Sequence, residues 1–441
     1  MAWALTGTKV LVVGLGRSGR GAAKLARRHG ARVVGVDLRT GLDPIDGVML
    51  ELGPHRRERF LWPDLIVVSP GVPLTAPDLV AARHAGVPMI GELAFAWSFL
   101  ADVPSVGITG TNGKSTVTHF TGQLLQRAGR KVFVGGNLGT PLSDAVMGAE
   151  RPDALVVEVS SYQLELPGNI APDVGVLLNL SPDHLARHGD MDGYARAKTE
   201  LFRRQRATQW ALRPLGDERL DRAMPTTEAQ LGWLGAHPGV VRDGDQAVVD
   251  LGAGPVGFDL SVLRVLGEHN RDNAATAALL ATAMDVPQAD VQDGLGRLEA
   301  LAHRMEPVHE ANGVLWVNDS KATNLDAART GIGGLDRPAV VLLGGELKDG
   351  SDFATLAPLL RRHRAVLAIG EGGPTVVRQL AAAGLDVELL PELRDAMDRA
   401  RALAQPGDAV LLSPGGASFD AFDDFEHRGR CFAQWARGED A

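Results

Sequence analysis

The sequence has little of several residue classes, and each scarcity excludes a class of protein. Its 441 residues include one cysteine, Cys431, so no disulfide can form within the chain, which is typical of a reducing compartment. The formal net charge is −9, so no basic surface for nucleic acid is indicated. No apolar run approaches the roughly 20 residues of a membrane span, and the apolar run at residues 10–13 is too short for a signal peptide. We therefore expect a cytoplasmic protein that contacts neither nucleic acid nor membrane.

What is present is the composition of an ordinary globular protein, with 45% hydrophobic and 22% charged residues. Apolar runs that resemble buried strands alternate with helical patterns along the whole chain, which predicts an α/β fold with mostly parallel sheets. We expect three domains: a Rossmann-like domain over residues 1–100, a central P-loop ATPase-like domain over 101–300 and a second Rossmann-like domain over 301–441.

The most informative segment follows an apolar run at residues 104–108. It reads Gly110-Thr-Asn-Gly-Lys-Ser-Thr116 and opens a helical pattern. Glycines let backbone N–H groups face an anion, lysine reaches terminal phosphates and the next hydroxyl can bind Mg²⁺. The common spacing would place a glycine at Ile108, so the motif is a shortened phosphate loop. It predicts a nucleoside triphosphate rather than a turn without a ligand.

A second glycine turn, Gly14-Leu-Gly-Arg-Ser-Gly19, joins a predicted strand at residues 8–13 to a helix. Asp37 ends the following strand, where a dinucleotide fold places a ribose contact. Three interpretations remain open for this turn: a packing turn without a ligand, a nicotinamide or flavin site, and a cradle for another pyrophosphate such as a UDP-linked substrate. A helix N-terminus binds all pyrophosphates alike.

Further polar residues lie directly after predicted strands, at the edge where open α/β sheets bind ligands. Glu158 ends the strand at residues 154–159, and His184 follows the strand at 174–178. Both could contact a metal ion or a substrate. In the last third, polar loops follow three strands and favour a pocket for a small carboxylate; they contain Lys321, Lys348 and Ser418.

Together these motifs, in this order, resemble those of the Mur ligases of bacterial cell-wall synthesis. The resemblance spans all three predicted domains and rests on Gly110-Thr-Asn-Gly-Lys-Ser115, Glu158-Val-Ser-Ser-Tyr-Gln163, Asn179-Leu-Ser-Pro-Asp-His184-Leu185, His269-Asn-Arg-Asp-Asn273, His303-Arg-Met-Glu306 and Asn318-Asp-Ser-Lys-Ala-Thr-Asn324. The first glycine turn and the segments 412–422 and 425–429 resemble the branch that adds D-glutamate.

The resemblance implies an ATP-dependent ligase that joins D-glutamate to UDP-N-acetylmuramoyl-L-alanine through an acyl phosphate, with ATP, a pair of Mg²⁺ ions and a carbamate on Lys198. Catalysis would use Lys114, Glu158, His184 and Lys198, and the metal ions would contact Ser115, Glu158, His184 and Lys198. ATP would be bound by Gly110, Thr111, Asn112, Gly113, Lys114, Ser115, Thr116, Asn270, Asn273, Arg304 and Asp319.

The resemblance also assigns the other two substrates and implies a monomer. The UDP-linked substrate would contact Arg17, Ser18, Asp37, Arg39, Gly71, Asn137, Ser160 and His184, and D-glutamate would contact Lys321, Thr323, Lys348, Ser418 and Phe425. Three alternatives stay open: a ligase of the same superfamily with another amino acid, a nicotinamide-dependent oxidoreductase, and a nucleotide-binding switch without a ligase reaction.

Overall fold

The structure is a computed structural model that describes residues 4–137 and 139–439. In this part of the chain the strands form three sheets of five, nine and six strands. None of its helices combines the length and the apolarity needed to cross a bilayer. Helices and strands alternate along most of this part, as the sequence predicts, and the main exceptions are residues 230–259 and 306–318, where strands follow one another directly.

The first sheet is parallel, in the order β3-β2-β1-β4-β5. The strand order reverses between β1 and β4, because β2 and β3 are added on one side of β1 and β4 and β5 on the other. This reversal makes a crevice at the carboxyl ends of β1 and β4, where ligands bind in open sheets. The predicted strands at 8–13, 31–36 and 64–68 are present, whereas the short β3 and β5 are not apparent from apolar runs. The elements are β1 (Lys9–Val13), α1 (Arg17–Arg28), β2 (Arg32–Asp37), β3 (Met49–Leu52), α2 (Arg57–Leu61), β4 (Leu65–Val68), α3 (Pro77–His84), β5 (Met89–Gly91) and α4 (Glu92–Trp97).

The second sheet has the order β14-β13-β12-β11-β10-β9-β6-β8-β7 and is parallel from β7 to β12. Residues 213–255, expected to be irregular or short-stranded, contain β12 and β13, which form a short antiparallel extension at one end together with β14 at residues 256–259. The elements up to the extension are β6 (Ser105–Thr109), α5 (Lys114–Arg127), β7 (Val132–Gly136), α6 (Leu142–Met147), β8 (Ala154–Glu158), β9 (Val174–Leu177), α7 (Leu185–His188), α8 (Met191–Thr199) and β10 (Trp210–Pro214). The others are α9 (Glu218–Ala223), β11 (Gln230–Leu234), β12 (Gly239–Asp243), β13 (Gln246–Asp250), β14 (Val256–Asp259), α10 (Glu268–Ala283) and α11 (Gln288–Leu295).

The third sheet has the order β15-β16-β20-β17-β18-β19, and its edge strand β15 is antiparallel to β16. All other pairs in it are parallel. The elements are β15 (Glu306–Ala311), β16 (Val314–Asn318), α12 (Leu325–Gly334), β17 (Ala339–Gly344), α13 (Ala357–Leu360), β18 (Ala365–Ile369), α14 (Gly373–Ala382), β19 (Glu388–Leu389), α15 (Leu393–Leu403), β20 (Ala409–Gly415) and α16 (Phe425–Ala436). Single 3₁₀ turns cover Gln163–Glu165, Glu200–Phe202 and Phe353–Leu356.

The chain divides into two compact units. The first holds the chain up to Ser261 with Ala274–Leu295, and the second holds Val262–Asn273 and the chain from Gly296 onward. In the first unit, one apolar core joins the first sheet to the second: Leu25 and Phe95 belong to the same buried cluster as Leu155 and Phe202. This shared core fixes the first glycine turn relative to the phosphate loop, because burial of apolar surface is the main stabilising contribution to folding.

Candidate functional site

The phosphate loop joins β6 to the 14-residue helix α5. Gly110 has φ 148° and Gly113, which precedes the helix, has φ 81°, both in the region that favours glycine. Lys114 Nζ donates hydrogen bonds to the carbonyl oxygens of Gly110 at 2.9 Å and Thr111 at 2.8 Å. The lysine therefore lies across the mouth of the loop, at the N-terminus of a long helix, where an anion is stabilised.

An amide from the neighbouring strand end anchors this loop. Asn179 Oδ1 accepts from the N–H of Asn112 at 2.9 Å, and Asn179 Nδ2 donates to the carbonyl of Asn112 at 3.1 Å. The carbonyl of Asn179 also accepts from the N–H of Thr111 at 3.1 Å. Asn179 opens the motif that contains His184, and this anchoring role is not apparent from the sequence.

Glu158 lies beside the loop, because its strand β8 pairs directly with Ile108 of β6. The residue is 2% exposed. Its Oε1 accepts from Asn137 Nδ2 at 2.8 Å, whereas its Oε2 is buried without a hydrogen-bond partner among the described residues. A buried carboxylate oxygen without a partner is costly, and a hard cation would satisfy it. The residues here therefore fit a Mg²⁺ ion.

Lys198, on α8, is 1% exposed and reaches the same loop. Its Nζ donates to the carbonyl of Gly110 at 2.6 Å and lies 4.5 Å from the ring centroid of Tyr194. Burial, with the charge of Lys114 second, lowers the pKa of Lys198 to about 6. The amine is therefore mainly neutral at pH 7.

His184 precedes the short helix α7 with a left-handed backbone, φ 55°. Its Nδ1 shares a hydrogen bond of 3.1 Å with the Tyr162 hydroxyl, and its Nε2 lies 3.3 Å from Asp183 Oδ2. Residues 4–137 and 139–439 contain no group of three or more His, Cys, Asp or Glu side chains that could together hold a metal ion. The predicted metal set differs in kind, since it combines Glu158 and His184 with a hydroxyl and a modified lysine.

A cavity of about 440 Å³ opens at the crevice of the first sheet. It contains six of the eight residues predicted for the UDP-linked substrate, namely Arg17, Ser18, Asp37, Arg39, Gly71 and Asn137. Ser160 and His184 do not line it. Gln163, which the sequence analysis did not single out, lines the cavity and accepts a hydrogen bond from Ser160 Oγ at 3.0 Å.

The first glycine turn forms one wall of this cavity. A Cβ on Gly19 would lie 1.8 Å from the carbonyl oxygen of Gly14, so the helix can approach the strand only with glycine there. Asp37 accepts from the N–H of Leu15 at 2.7 Å and from Arg39 Nε at 3.0 Å. The Arg39 guanidinium is the main cause that holds the pKa of the Asp37 carboxyl well below its usual range. The acid therefore braces the turn.

In the second unit, Asn270 and Asp319, which are predicted to bind ATP, are buried, and Asn273 and Arg304 are half-buried. Asn270 Nδ2 donates to the carbonyl of Leu266 at 2.6 Å, and Asn273 Nδ2 donates to Asn270 Oδ1 at 3.1 Å. Asp319 Oδ2 accepts from Ser413 Oγ at 2.7 Å. Burial raises the pKa of Asp319 to about 7, and the charge of Arg304 acts against that rise.

Of the residues predicted for D-glutamate, Lys321, Thr323, Lys348 and Ser418 lie on loops that follow strands of the third sheet, and Phe425 begins the helix α16. Lys321 Nζ lies 5.4 Å from the ring centroid of Phe425, Ser418 is buried and Lys348 is exposed. Thr323 is half-buried on the Lys321 loop, where its N–H donates to the carbonyl of Lys321 at 2.9 Å.

Arg428 was quoted in a motif without a role, and it holds two of these loops together. Its buried guanidinium donates to the Ser320 hydroxyl and carbonyl, both at 2.9 Å, and to the carbonyl oxygens of Ala417 at 3.0 Å and Gly416 at 3.1 Å. Burial lowers its pKa to about 10, so the guanidinium stays charged at pH 7. A charged donor with several acceptors fixes the loops next to Lys321 and Ser418.

Comparison with known proteins places each of the three sheets in a known domain family. Residues 8–91 match the Mur ligase MurD-like N-terminal domain, residues 108–281 the Mur ligase middle domain, and residues 303–416 the Mur ligase glutamate ligase domain.

Full-length relatives have the same extent as this chain. The UDP-N-acetylmuramoylalanine–D-glutamate ligase of Anaeromyxobacter dehalogenans is 43% identical over 455 residues, covering 98% of each chain. The protein of the same name from Myxococcus xanthus is 40% identical, again covering 98% of each chain.

Solved structures support the fold alone, because their sequence identity to this chain is low. A crystal structure of MurF from Acinetobacter baumannii has a TM-score of 0.61 at 18% identity, covering 98% of this chain and 92% of the other. The UDP-N-acetylmuramate–alanine ligase MurC from Thermotoga maritima has a TM-score of 0.59 at 17% identity, covering 98% and 99%.

Proposed function

This chain belongs to the Mur ligase family, and from that premise we infer that it joins D-glutamate to UDP-N-acetylmuramoyl-L-alanine at the expense of ATP in peptidoglycan synthesis. The predicted three-domain α/β fold and the predicted ligase class are confirmed by these matches. The roles of individual residues remain proposals, and the geometry of each unit supports them separately.

The observation that carries the residue assignment is the position of Asn137. Its side chain lines the cavity at the first glycine turn and donates to Glu158, the buried acid beside the phosphate loop. A nucleotide-linked substrate in that cavity would therefore extend toward the loop that binds triphosphate. A ligase reaction requires this proximity, because the carboxylate of one substrate must meet the γ-phosphorus of ATP.

We propose the following reaction. The L-alanine carboxylate of the UDP-linked substrate attacks the γ-phosphorus of ATP, the bond to ADP breaks, and an acyl phosphate forms. The amine of D-glutamate then attacks the acyl carbon, loses a proton and expels inorganic phosphate, which leaves an amide. Lys114 neutralises charge on the transferred phosphoryl group, and the loop N–H groups orient it.

Mg²⁺, when bound by Glu158, Ser115, His184 and a carbamate on Lys198, would supply positive charge next to the phosphates. Lys198 suits the modification, because its amine is buried and its pKa is lowered to about 6. The neutral amine attacks carbon dioxide, forms an N–C bond and releases one proton. The carbamate replaces a neutral amine with an anion, and oxygen anions are the ligands that a hard cation prefers.

In the second unit we assign Asn270, Asn273, Arg304 and Asp319 to the adenine, ribose or phosphates of ATP. D-Glutamate is assigned to Lys321, Thr323, Lys348, Ser418 and Phe425. The lysines would attract its carboxylates, and Arg428 would fix the loop of Lys321 relative to the loop of Ser418. A panel of amino acids that includes D- and L-glutamate tests the choice of the second substrate directly.

The experiment is ADP release by the purified protein with UDP-N-acetylmuramoyl-L-alanine and D-glutamate, each omitted in turn. We expect sustained ADP release only when both substrates are present. A nucleotide switch would release ADP without them, and another ligase of the superfamily would prefer a different amino acid. We also propose a cytoplasmic monomer, which light scattering of the eluted protein and fractionation of cells would check.

A further inference from the structure

Arg187 has no role in the reaction proposed above, yet its side chain is held in one geometry. It lies on α7, three residues after His184, and both its side chain and that of Glu165 are 18% exposed. Arg187 Nε donates to Glu165 Oε1 at 2.8 Å, and Nη2 donates to Oε2 at 2.6 Å. A bidentate pair shielded from water is a rigid connection.

The same guanidinium reaches the first domain. Arg187 Nη2 also donates to the carbonyl of Val72 at 2.9 Å. Val72 and its neighbour Gly71 line the cavity assigned to the UDP-linked substrate. One side chain therefore connects the short helix after His184 to a wall of the nucleotide cavity.

A second contact leads from Arg187 to His184 itself. The guanidinium carbon lies 5.1 Å from the centroid of the Tyr162 ring, and the Tyr162 hydroxyl shares the 3.1 Å hydrogen bond with His184 Nδ1. The imidazole is about half exposed, with 46% of its side-chain surface accessible, so packing alone does not fix its orientation. Polar contacts contribute to it: Nδ1 shares the hydrogen bond with Tyr162, and Nε2 lies 3.3 Å from Asp183 Oδ2. Of these two contacts, the one with Tyr162 leads to Arg187, and it determines which ring nitrogen faces away from the tyrosine.

We propose that Arg187 is a positioning residue that couples the wall of the nucleotide cavity at Val72 to the orientation of His184 through Tyr162. The inference rests on the function proposed above. A substrate that orders the loop at Gly71 would also order Arg187, and the stacked Tyr162 would then hold the imidazole in its productive orientation. Without Arg187, the loop and the imidazole would each move independently.

The test compares Arg187→Leu and Arg187→Lys with the control Arg203→Leu, which breaks an exposed Arg–Glu pair in the same domain that lines no described cavity. For both Arg187 variants we expect KM for UDP-N-acetylmuramoyl-L-alanine to rise about tenfold and kcat to fall about tenfold, as for coupled neighbouring residues. KM for D-glutamate should stay within about twofold of the wild-type value. We expect that lysine at position 187 does not restore either kinetic constant, because its single nitrogen cannot form the bidentate pair with Glu165 and also reach Val72.

A second readout does not depend on turnover. In calorimetric titration without ATP or Mg²⁺, Arg187→Leu should weaken binding of UDP-N-acetylmuramoyl-L-alanine about tenfold, whereas Tyr162→Phe should leave it within about twofold. Tyr162→Phe should instead lower kcat, and this effect should disappear in the Arg187→Leu background, because the tyrosine is then already released.

Several outcomes would overturn the inference. One is a loss of kcat in the Arg187 variants with every KM unchanged, which indicates a smaller folded fraction. Others are full rescue by Arg187→Lys and additive effects of Arg187→Leu and Tyr162→Phe. If Arg187→Leu does not fold, Arg187→Lys and Glu165→Gln carry the same comparison. Failure of the proposed function is distinct: wild-type protein would then release no ADP with both substrates.

Discussion

The first unit contains two glycine turns that have the same strand–turn–helix arrangement but are anchored by different side chains. Each joins a buried parallel strand to a helix of 12 or 14 residues. The first turn is braced by the Asp37 carboxylate, which accepts from Leu15 N–H. The phosphate loop is braced by the Asn179 amide, which accepts from Asn112 N–H with nearly the same geometry.

The difference in charge between the two anchors matches the ligands proposed for the two turns. An anion beside a triphosphate would repel it, so a neutral amide suits the phosphate loop. The first turn tolerates a carboxylate because Arg39 pairs with it at 2.9 Å. The helix that follows the phosphate loop also begins with Lys114, whereas α1 begins with Arg17 and Ser18, which line the cavity.

The largest effect should come from removing Lys114, the cation at the start of the phosphate-loop helix. Lys114→Met should lower kcat/KM about 100- to 1,000-fold, because a preorganised charge that stabilises the transferred phosphoryl group is lost. Steady-state ADP release measures it. Calorimetric binding of UDP-N-acetylmuramoyl-L-alanine to the other turn, without ATP, serves as the control and should change less than about twofold. A kcat/KM within about tenfold of wild type would contradict the role of Lys114.

The next largest effect should come from Lys198, which contacts the phosphate loop and not the first turn. Lys198→Ala should lower kcat at least about 10- to 100-fold, the usual range for residues that support a metal site, and added bicarbonate should not restore it. The matched control is Lys131→Ala, an exposed lysine of the same domain. Near-normal turnover by Lys198→Ala, or absence of a labelled carbamate after growth of wild type with isotopic carbon dioxide, would refute the modification.

Exchanging the phosphate-loop anchor for the acid used by the first turn should have a smaller effect. Asn179→Asp keeps the acceptor for Asn112 N–H but adds a negative charge, so KM for ATP should rise about tenfold. Asn179→Ala loses both hydrogen bonds without adding charge, and its KM for ATP should rise less. Equal effects of the two substitutions would show that the sign of the anchor is irrelevant.

The smallest effect is expected from giving the first turn an amide anchor like that of the phosphate loop, by the substitution Asp37→Asn. The pKa of Asp37 lies below its usual value of 3.8, so its ionised form stabilises the fold above that pH, and this contribution is lost as pH falls. Asp37→Asn should therefore lower the free energy of unfolding by about 1.5 kcal/mol at pH 7, the lower end of the range for a hydrogen bond to a charged group.

Urea unfolding of both proteins between pH 3 and pH 8 tests this exchange, with the second anchor variant Asn179→Ala as a reference. The difference in the free energy of unfolding between wild type and Asp37→Asn should be constant above about pH 5 and should shrink progressively below about pH 4, whereas the difference for Asn179→Ala should not depend on pH. A difference in the free energy of unfolding between wild type and Asp37→Asn that increases in acid would contradict a lowered pKa for Asp37.

Local patterns in the sequence were sufficient for most of the fold. Runs such as residues 10–13 and 154–157 are continuous and apolar, because parallel strands are buried on both faces, and glycine turns mark where such strands end. The half-exposed β3 and the three-residue β5 were missed, since short edge strands lack that signal. The antiparallel extension β12–β14 is paired through hairpins among glycines and was expected only as short or irregular structure.

The sequence by itself determined the fold class, the ligase family and the order of the chemical motifs, because these depend on residue types at close spacing. Only the tertiary structure decided which distant side chains meet: Asn137 with Glu158, Asn179 with Asn112, and Arg187 with Val72. These partners are 21, 67 and 115 residues apart. No local pattern specifies such pairs, since they depend on how the sheets and their shared core bring strand ends together.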